Sequence, residues 1–266
     1  MFDEDRQVGA ATAERNTILD RLPAPLRDIT DRLAATFAAH GQELYLVGGV
    51  VRDLLLGRPV TDLDLTTSAE PPQTKQLGQE AGAEAIYTVG EAFGTIGLVF
   101  DGVTVEITTF REEHYPTPDR HPAVRYGTTL LGDLARRDFT INAIAVDVNS
   151  GEIIDPFGGQ EDLARRLIRA VGSPRERFAE DPLRILRAVR FAAELGFQLE
   201  PATLAAMKEL AAELERISVE RIAAELNRLL VAPDAAHGLR LLRETRLLPY
   251  VLPELLPLAE DPGRGR

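Results

Sequence analysis

Two aspartates one residue apart, Asp62 and Asp64, stand in the run Val60-Thr-Asp-Leu-Asp-Leu-Thr, shortly after a glycine pair, Gly48-Gly49, and an arginine, Arg52. On a β-strand, residues i and i+2 face the same side, so both carboxylates can grip the same divalent ions. The glycine pair lets backbone approach phosphate oxygens, the helix expected after it turns its first amides toward an anion, and Arg52 is placed to clamp a triphosphate. Nucleotidyl transfer uses such parts: one metal activates the attacking hydroxyl and a second neutralises the departing pyrophosphate. A lone D-x-D is more often a surface turn, and a glycine pair also serves a plain strand-to-helix turn, so the neighbouring motifs decide. The pattern is not G-x-G-x-x-G, which argues against a dinucleotide fold.

Composition narrows the chemistry. The chain has 266 residues, enough for two compact units, with ordinary apolar (44%) and charged (27%) content. It has no cysteine, which removes disulfides, thiolate nucleophiles and Cys-based zinc sites. His40, His114, His121 and His237 lack metal-ligand spacing, and none precedes Asp. Metal chemistry therefore rests on carboxylates, which suits Mg2+. No apolar run reaches the ~20 residues of a membrane span, and the first ten residues are acidic and polar, so a cytoplasmic location is expected. The net charge of −12 argues against a general nucleic-acid coat. Its distribution answers that objection: arginines crowd the stretch from Arg111 to Arg190 while acids gather at both ends, which reads as a basic cleft on an acidic body.

Apolar spacing predicts a flexible segment over 1–22, a helix over about 26–39, a strand over 43–47 running into the glycine pair, and an extended segment from Pro59 that carries both aspartates. A helix follows over 71–82, and Asp101-Gly102 between two β-rich runs predicts a hairpin. From Arg111 to Leu130 the chain is polar and proline-broken, which reads as a moving loop over the site. A second hairpin is expected over 140–155. Helices are then expected over 160–170, 182–195, 201–215, 218–230 and 237–245. The fold class is α+β, with a mixed-sheet head over 23–159 and a helical neck and body over 160–266.

The runs LVGGVVRDLLLGRPVTDLDLTT, VEITTFR at 105–111, RRDFTINAIAVD at 136–147, IIDPFGG at 153–159 and EDPLRILRAVRFAAELGF at 180–197 together resemble the class II CCA-adding enzyme and bacterial poly(A) polymerase family. The resemblance covers about residues 44–231. It implies that Glu106 is a third catalytic carboxylate beside Asp62 and Asp64, with two Mg2+ ions. It implies that Arg137 meets the nucleotide, with Asp138 and Asn142 orienting the ribose or that arginine, while Arg136 is structural or RNA-facing. It further implies that Asp181 accepts from the exocyclic amine shared by cytosine and adenine and that Arg184 donates to ring acceptors, with Glu180 orienting Arg184. Arg187 and Arg190 then lie nearer phosphates or hold the helix. From the residues alone, Asp181 before Pro182 reads equally as a helix cap.

The implied activity is addition of CMP and AMP from CTP and ATP to the 3′ end of tRNA. A-adding or poly(A) polymerase activity stands second, and a non-catalytic RNA or nucleotide-binding fragment third. The full-length look of the loop from 111 to 136 favours CCA addition over the CC-adding members. Family members extend into further helical body and tail, so the chain reads as a short or truncated form, with its tRNA affinity and oligomeric state open.

Overall fold

The computed structural model describes residues 17–114, 123–126 and 129–257. Its strands are β1 (Leu44–Val47), β2 (Leu63–Thr67), β3 (Ala85–Tyr87), β4 (Thr95–Phe100), β5 (Val103–Thr109), β6 (Arg111–His114), β7 (Ala123–Tyr126), β8 (Ala145–Asp147), β9 (Ile153–Ile154), β10 (Leu167–Ile168) and β11 (Gln198–Leu199). The helices of the first part are α1 (Ala24–Ala39), α2 (Gly49–Leu55), α3 (Pro71–Glu80) and α4 (Leu130–Ala135). Those of the second are α5 (Gly159–Arg165), α6 (Pro174–Glu180), α7 (Leu183–Leu195), α8 (Pro201–Glu209), α9 (Val219–Leu230), α10 (Ala235–Glu244) and α11 (Leu248–Val251).

Seven strands form one sheet in the order β3-β4-β5-β2-β1-β8-β9. Only β2 and β5 pair in parallel within it, which makes the sheet mixed. Burial alternates along β4 and β5, with Ile96, Leu98, Val105 and Ile107 turned inward to one face. Helix α3 lies against that face so closely that a Cβ on Gly78 would come within 2.6 Å of Leu98. The opposite face is covered near β1 by a small cluster in which Tyr45, Val47 and Phe110 meet Leu134 of α4. The turn between β4 and β5 holds both Asp101 (φ 49°) and Gly102 (φ 79°) in the left-handed region, the tight hairpin that an Asp-Gly pair favours.

The large apolar cluster runs unbroken from the sheet into the helices, and Phe139 meets Phe191 of α7 edge-on at 5.8 Å. The helical region is therefore packed against the head by a shared core, not strung from it.

Several expectations are corrected. Residues 17–22 are not a flexible lead-in: Ile18, Leu19 and Leu22 are buried around a 3-10 turn. The hairpin expected from residue 140 begins later, because Thr140–Asn142 form a 3-10 turn and only Ala145–Asp147 pair with β9. The helix expected to run to residue 170 ends where Arg166 enters the left-handed region (φ 56°), and Leu167–Ile168 pair in parallel with β11. In the stretch from 111 to 130, β6 and β7 are formed, and α4 starts at its last residue. The remaining residues of the expected moving loop, 115–122 and 127–128, lie outside the described residues.

Candidate active site

Asp64 lies on β2 directly opposite Glu106 of β5. Cross-strand partners share a face, so the two carboxylates stand side by side. Asp62 falls one residue before β2 begins, off the ladder and exposed, so the shared-strand argument holds for Asp64 and only by proximity for Asp62. Asp64 too is exposed at the cleft, but desolvation by the surrounding wall, and after it the Glu106 charge, push its carboxyl above its ordinary value; Arg137 opposes, and Asp62 adds to the rise. Asp62, Asp64 and Glu106 form no ion pair among the described residues, and no group of three or more His, Cys, Asp or Glu there is gathered into a preformed metal cage. Such sparse oxygen donors fit Mg2+, which is usually held by one or two carboxylates together with substrate phosphates and water.

Gly48 (φ 72°) stands between this row and Arg137. A Cβ there would lie 3.1 Å from Arg137 Nη1 and 3.7 Å from Asp64 Oδ2, so only glycine keeps the gap open. Arg137 is fixed by Nη2 donating to buried Asp133 at 3.1 Å, and its buried Nε has no hydrogen-bond partner. Helix α2 has only seven residues, so the backbone of Gly48-Gly49 and the Arg137 guanidinium, more than a helix dipole, make this corner receptive to anions.

Arg52, expected as a clamp, lines the cleft and is also tied to its neighbours. Its guanidinium already donates to both oxygens of Asp53, at 3.1 and 2.9 Å, and to Asn142 Oδ1 at 2.9 Å. A chain of contacts follows. Asn142 donates to Asp138 Oδ1 at 3.0 Å, and Asp138 Oδ2 accepts from Arg187 Nε and Nη2 at 2.9 and 2.6 Å. Burial alone would raise Asp138, but the Arg187 charge, with hydrogen bonds from Asn142, Arg187 and the Phe139 N–H, holds its carboxyl below the ordinary range. Arg187 also faces Glu225 of α9 at 3.7 Å. Arg190, 1% exposed, donates to Glu225 and Glu194 and lies 4.0 Å from the centre of the Phe191 ring, which makes it a bolt between α7 and α9.

Arg184 occupies the cleft wall. It donates to Glu180 Oε2 at 2.7 Å and to the carbonyls of Arg177 and Arg136, both at 3.0 Å. Asp181 Oδ1 accepts from the Leu183 N–H at 3.2 Å, as a cap would, while Oδ2 accepts from Arg221 at 2.9 Å. The capping and the cleft-lining readings therefore coexist in one side chain.

These groups enclose a cleft of about 490 Å³, the size of small-molecule sites. Gly48, Gly49, Arg52, Asp64, Arg137, Asp138, Asn142, Asp181, Arg184, Arg187 and Arg190 line it; Asp62, Glu106 and Glu180 stand outside its lining. Sequence reasoning missed Asp133, which holds Arg136 and Arg137, and Arg221 and Arg228 of α9, which also line the cleft. The spacing Arg221, Glu225, Arg228 was a signal, since it sets three charges on one helix face.

Comparison with known proteins places this geometry. Residues 44–169 match the Poly A polymerase head domain, and 196–258 match the probable RNA and SrmB-binding site of polymerase A. A CCA-adding enzyme of Geobacillus sp. (strain WCH70) is 47% identical over 85% of this chain and 54% of its own length. The crystal structure of the Bacillus stearothermophilus CCA-adding enzyme in complex with CTP is 43% identical, with a TM-score of 0.78 over 86% of this chain and 54% of that one. The Thermotoga maritima CCA-adding enzyme complexed with tRNA-CCA is 26% identical, with a TM-score of 0.76 over 92% and 60%. The chain thus spans about half the length of the curated relatives it matches.

Proposed function

This chain belongs to the CCA-adding enzyme and bacterial poly(A) polymerase family over its head and neck, and from that membership we propose that it adds CMP and AMP, taken from CTP and ATP, to the 3′ end of tRNA. Divalent metal is general in the family; our finer reading is two Mg2+ ions, held by Asp62 and Asp64 with Glu106 as third carboxylate. The observation that carries the proposal is that one cleft joins Asp64 and the Gly48–Arg137 corner to Asp181 and Arg184. Division of the chain at 159/160 into nucleotidyltransferase head and helical neck and body, and a cytoplasmic location, are parts of the same reading. No helix among the described residues is long and apolar enough to cross a membrane.

When bound, Mg2+ would polarise the attacking hydroxyl and neutralise the leaving pyrophosphate. The chain's own residues do the rest. The Gly48-Gly49 backbone and Arg137 hold the triphosphate, and Asp138 and Asn142, locked between Arg52 and Arg187, set the ribose edge of the cleft. Arg184, fixed by Glu180, donates to the ring acceptor of cytosine or adenine, and Asp181 accepts from the exocyclic amine. Uracil and guanine present the wrong edges and leave buried polar groups unpaired, which favours their rejection.

The test is sequencing of products after incubation with tRNA ending before CCA, after C and after CC, each with CTP, ATP or both. Ordered completion to CCA supports the reading. Addition of A only after CC would make the chain an A-adding member, long A tails on any RNA would make it a poly(A) polymerase, and binding of CTP without turnover would leave a nucleotide-binding fragment.

A further inference from the structure

The register of the sheet sets four residues in one row across four strands: Asp64 of β2 opposite Glu106 of β5, Glu106 opposite Gly97 of β4, and Gly97 opposite Tyr87 of the edge strand β3. Directly paired residues share a face, so Tyr87 stands on the same side as the two carboxylates, roughly 14 Å from Asp64 at the usual strand spacing. Within the row no side chain stands between Tyr87 and Glu106, because the intervening position is Gly97. The Tyr87 ring leans toward it, with Cδ2 3.8 Å from where a Gly97 Cβ would be, yet Tyr87 remains 55% exposed. Beyond β3, Val89 (95%) and Phe93 (54%) extend the exposed apolar rim, and the Phe93 carbonyl accepts from Arg111, which lines the cleft, at 2.6 Å.

The direction of this lane matters. In-line displacement puts the attacking oxygen opposite the leaving pyrophosphate. The Gly48 corner follows β1 on one side of β2, and Glu106 of β5 stands on the other side of Asp64. The acceptor hydroxyl must then arrive from the Glu106 side, along the row that ends at Tyr87. A lane floored by glycine and closed by an exposed aromatic ring suits an unpaired base, since stacking on aromatic side chains is how single strands are held without reading their sequence.

We propose that the open sheet face from Glu106 over Gly97 to Tyr87 is the cradle for the unpaired 3′ end of the acceptor RNA, with Tyr87 as the stacking platform for a base behind the terminal hydroxyl. The inference rests on the transferase reading for the direction of approach. Tyr87 is a positioning residue, not a reacting one.

The experiment compares the parent chain with Tyr87→Ala and Tyr87→Phe on a 5′-fluorescent hairpin RNA with a single-stranded 3′ end stopping at CC. Anisotropy gives the RNA Kd, and incorporation gives KM for RNA and for ATP. The cradle predicts that Tyr87→Ala weakens RNA binding and raises the RNA KM roughly tenfold or more, with KM for ATP and the melting temperature near the parent's, and that Tyr87→Phe restores both. The ring's alternative role, shielding the bare backbone of Gly97, predicts a lowered melting temperature with unchanged RNA affinity, and that result overturns the inference. If the parent binds the RNA in a Tyr87-dependent way but transfers nothing, the cradle stands and the transferase reading falls. Equal RNA affinity in parent and Tyr87→Ala sinks the cradle whatever the turnover.

Discussion

The two charged regions of the site are built on opposite plans. On the sheet, Asp64 and Glu106 stand side by side, with Asp62 just before the strand, and none of the three has an ion pair among the described residues; desolvation and the neighbouring carboxylates push Asp64 up. On α7, Arg184, Arg187 and Arg190 are each bonded to a carboxylate: Glu180, Asp138, and Glu225 with Glu194. Like charges left side by side cost stability, a cost that a bound cation would relieve. Opposite charges locked together give up their reach for a fixed shape. On the proposed reading, the first region is the one that reacts and the second the one that measures the base.

The largest expected effect separates the two plans. Asp64→Ala removes a proposed metal ligand shared by every turnover, and incorporation of both C and A should fall roughly a thousandfold or more. Its melting temperature should match or slightly exceed the parent's, because a repelling charge is gone. Single-turnover incorporation and thermal denaturation measure the two sides. A variant that loses stability in proportion to activity would show that the sheet carboxylates belong to the scaffold after all.

A smaller effect, of opposite character, is expected on α7. Arg187→Met leaves the Asp138 carboxylate buried without its counter-charge. Breaking a buried pair costs about 3–5 kcal/mol, but Arg187 keeps 34% of its side chain in water, so about 2–3 kcal/mol is expected at pH 7. The pH dependence follows from the lowered Asp138. In the parent, the pair's stabilisation is present above the ordinary carboxylate value of about 3.9 and is lost as pH falls through the still lower folded value. In the variant, acid neutralises the stranded carboxylate and relieves the cost. Denaturation midpoints of the two proteins should converge as pH drops from 7 toward 3; a constant gap would place the cost in lost packing.

These expectations show where sequence reading succeeded and why it stopped. The glycine pair, Asp64 of the D-x-D and the 180–197 run were legible as parts of one cleft because each is a few residue types in tight spacing. The hairpin at Asp101-Gly102 was legible because both residues tolerate the left-handed backbone it needs. Asp133 was hidden just after a proline-broken polar stretch, although Thr129, whose hydroxyl accepts from the Gly132 N–H at 3.2 Å, marks the start of its helix. The Arg52 contacts were not legible, because a sequence does not reveal that Asp53 and Asn142 share its guanidinium at the wall of the cleft. The row from Asp64 to Tyr87 depends on register across three strand pairings, and no local pattern fixes that.

The smallest effect sharpens the comparison most, because it asks whether a charge pair can set geometry without setting stability. Arg221 reaches from α9 to Asp181 at 2.9 Å, with 52% of its side chain exposed against 28% for Asp181. An exposed pair of this kind is worth ~0–1 kcal/mol, so Arg221→Met should barely move the melting temperature. Asp181 would keep only the bond from the Leu183 N–H, and its carboxylate would be free to turn away from the cleft. If the α7 region selects the base through carboxylates and guanidiniums held still by their partners, the ratio of CTP and ATP incorporation over UTP and GTP should fall several-fold, with rates on CTP itself little changed. Arg221→Lys, which keeps the charge but loses the planar fork, should fall between the two. Should both variants retain the parent's ratios, Asp181 would need no holding, and selectivity would rest on Arg184 and its bonds to Glu180, Arg177 and Arg136 alone.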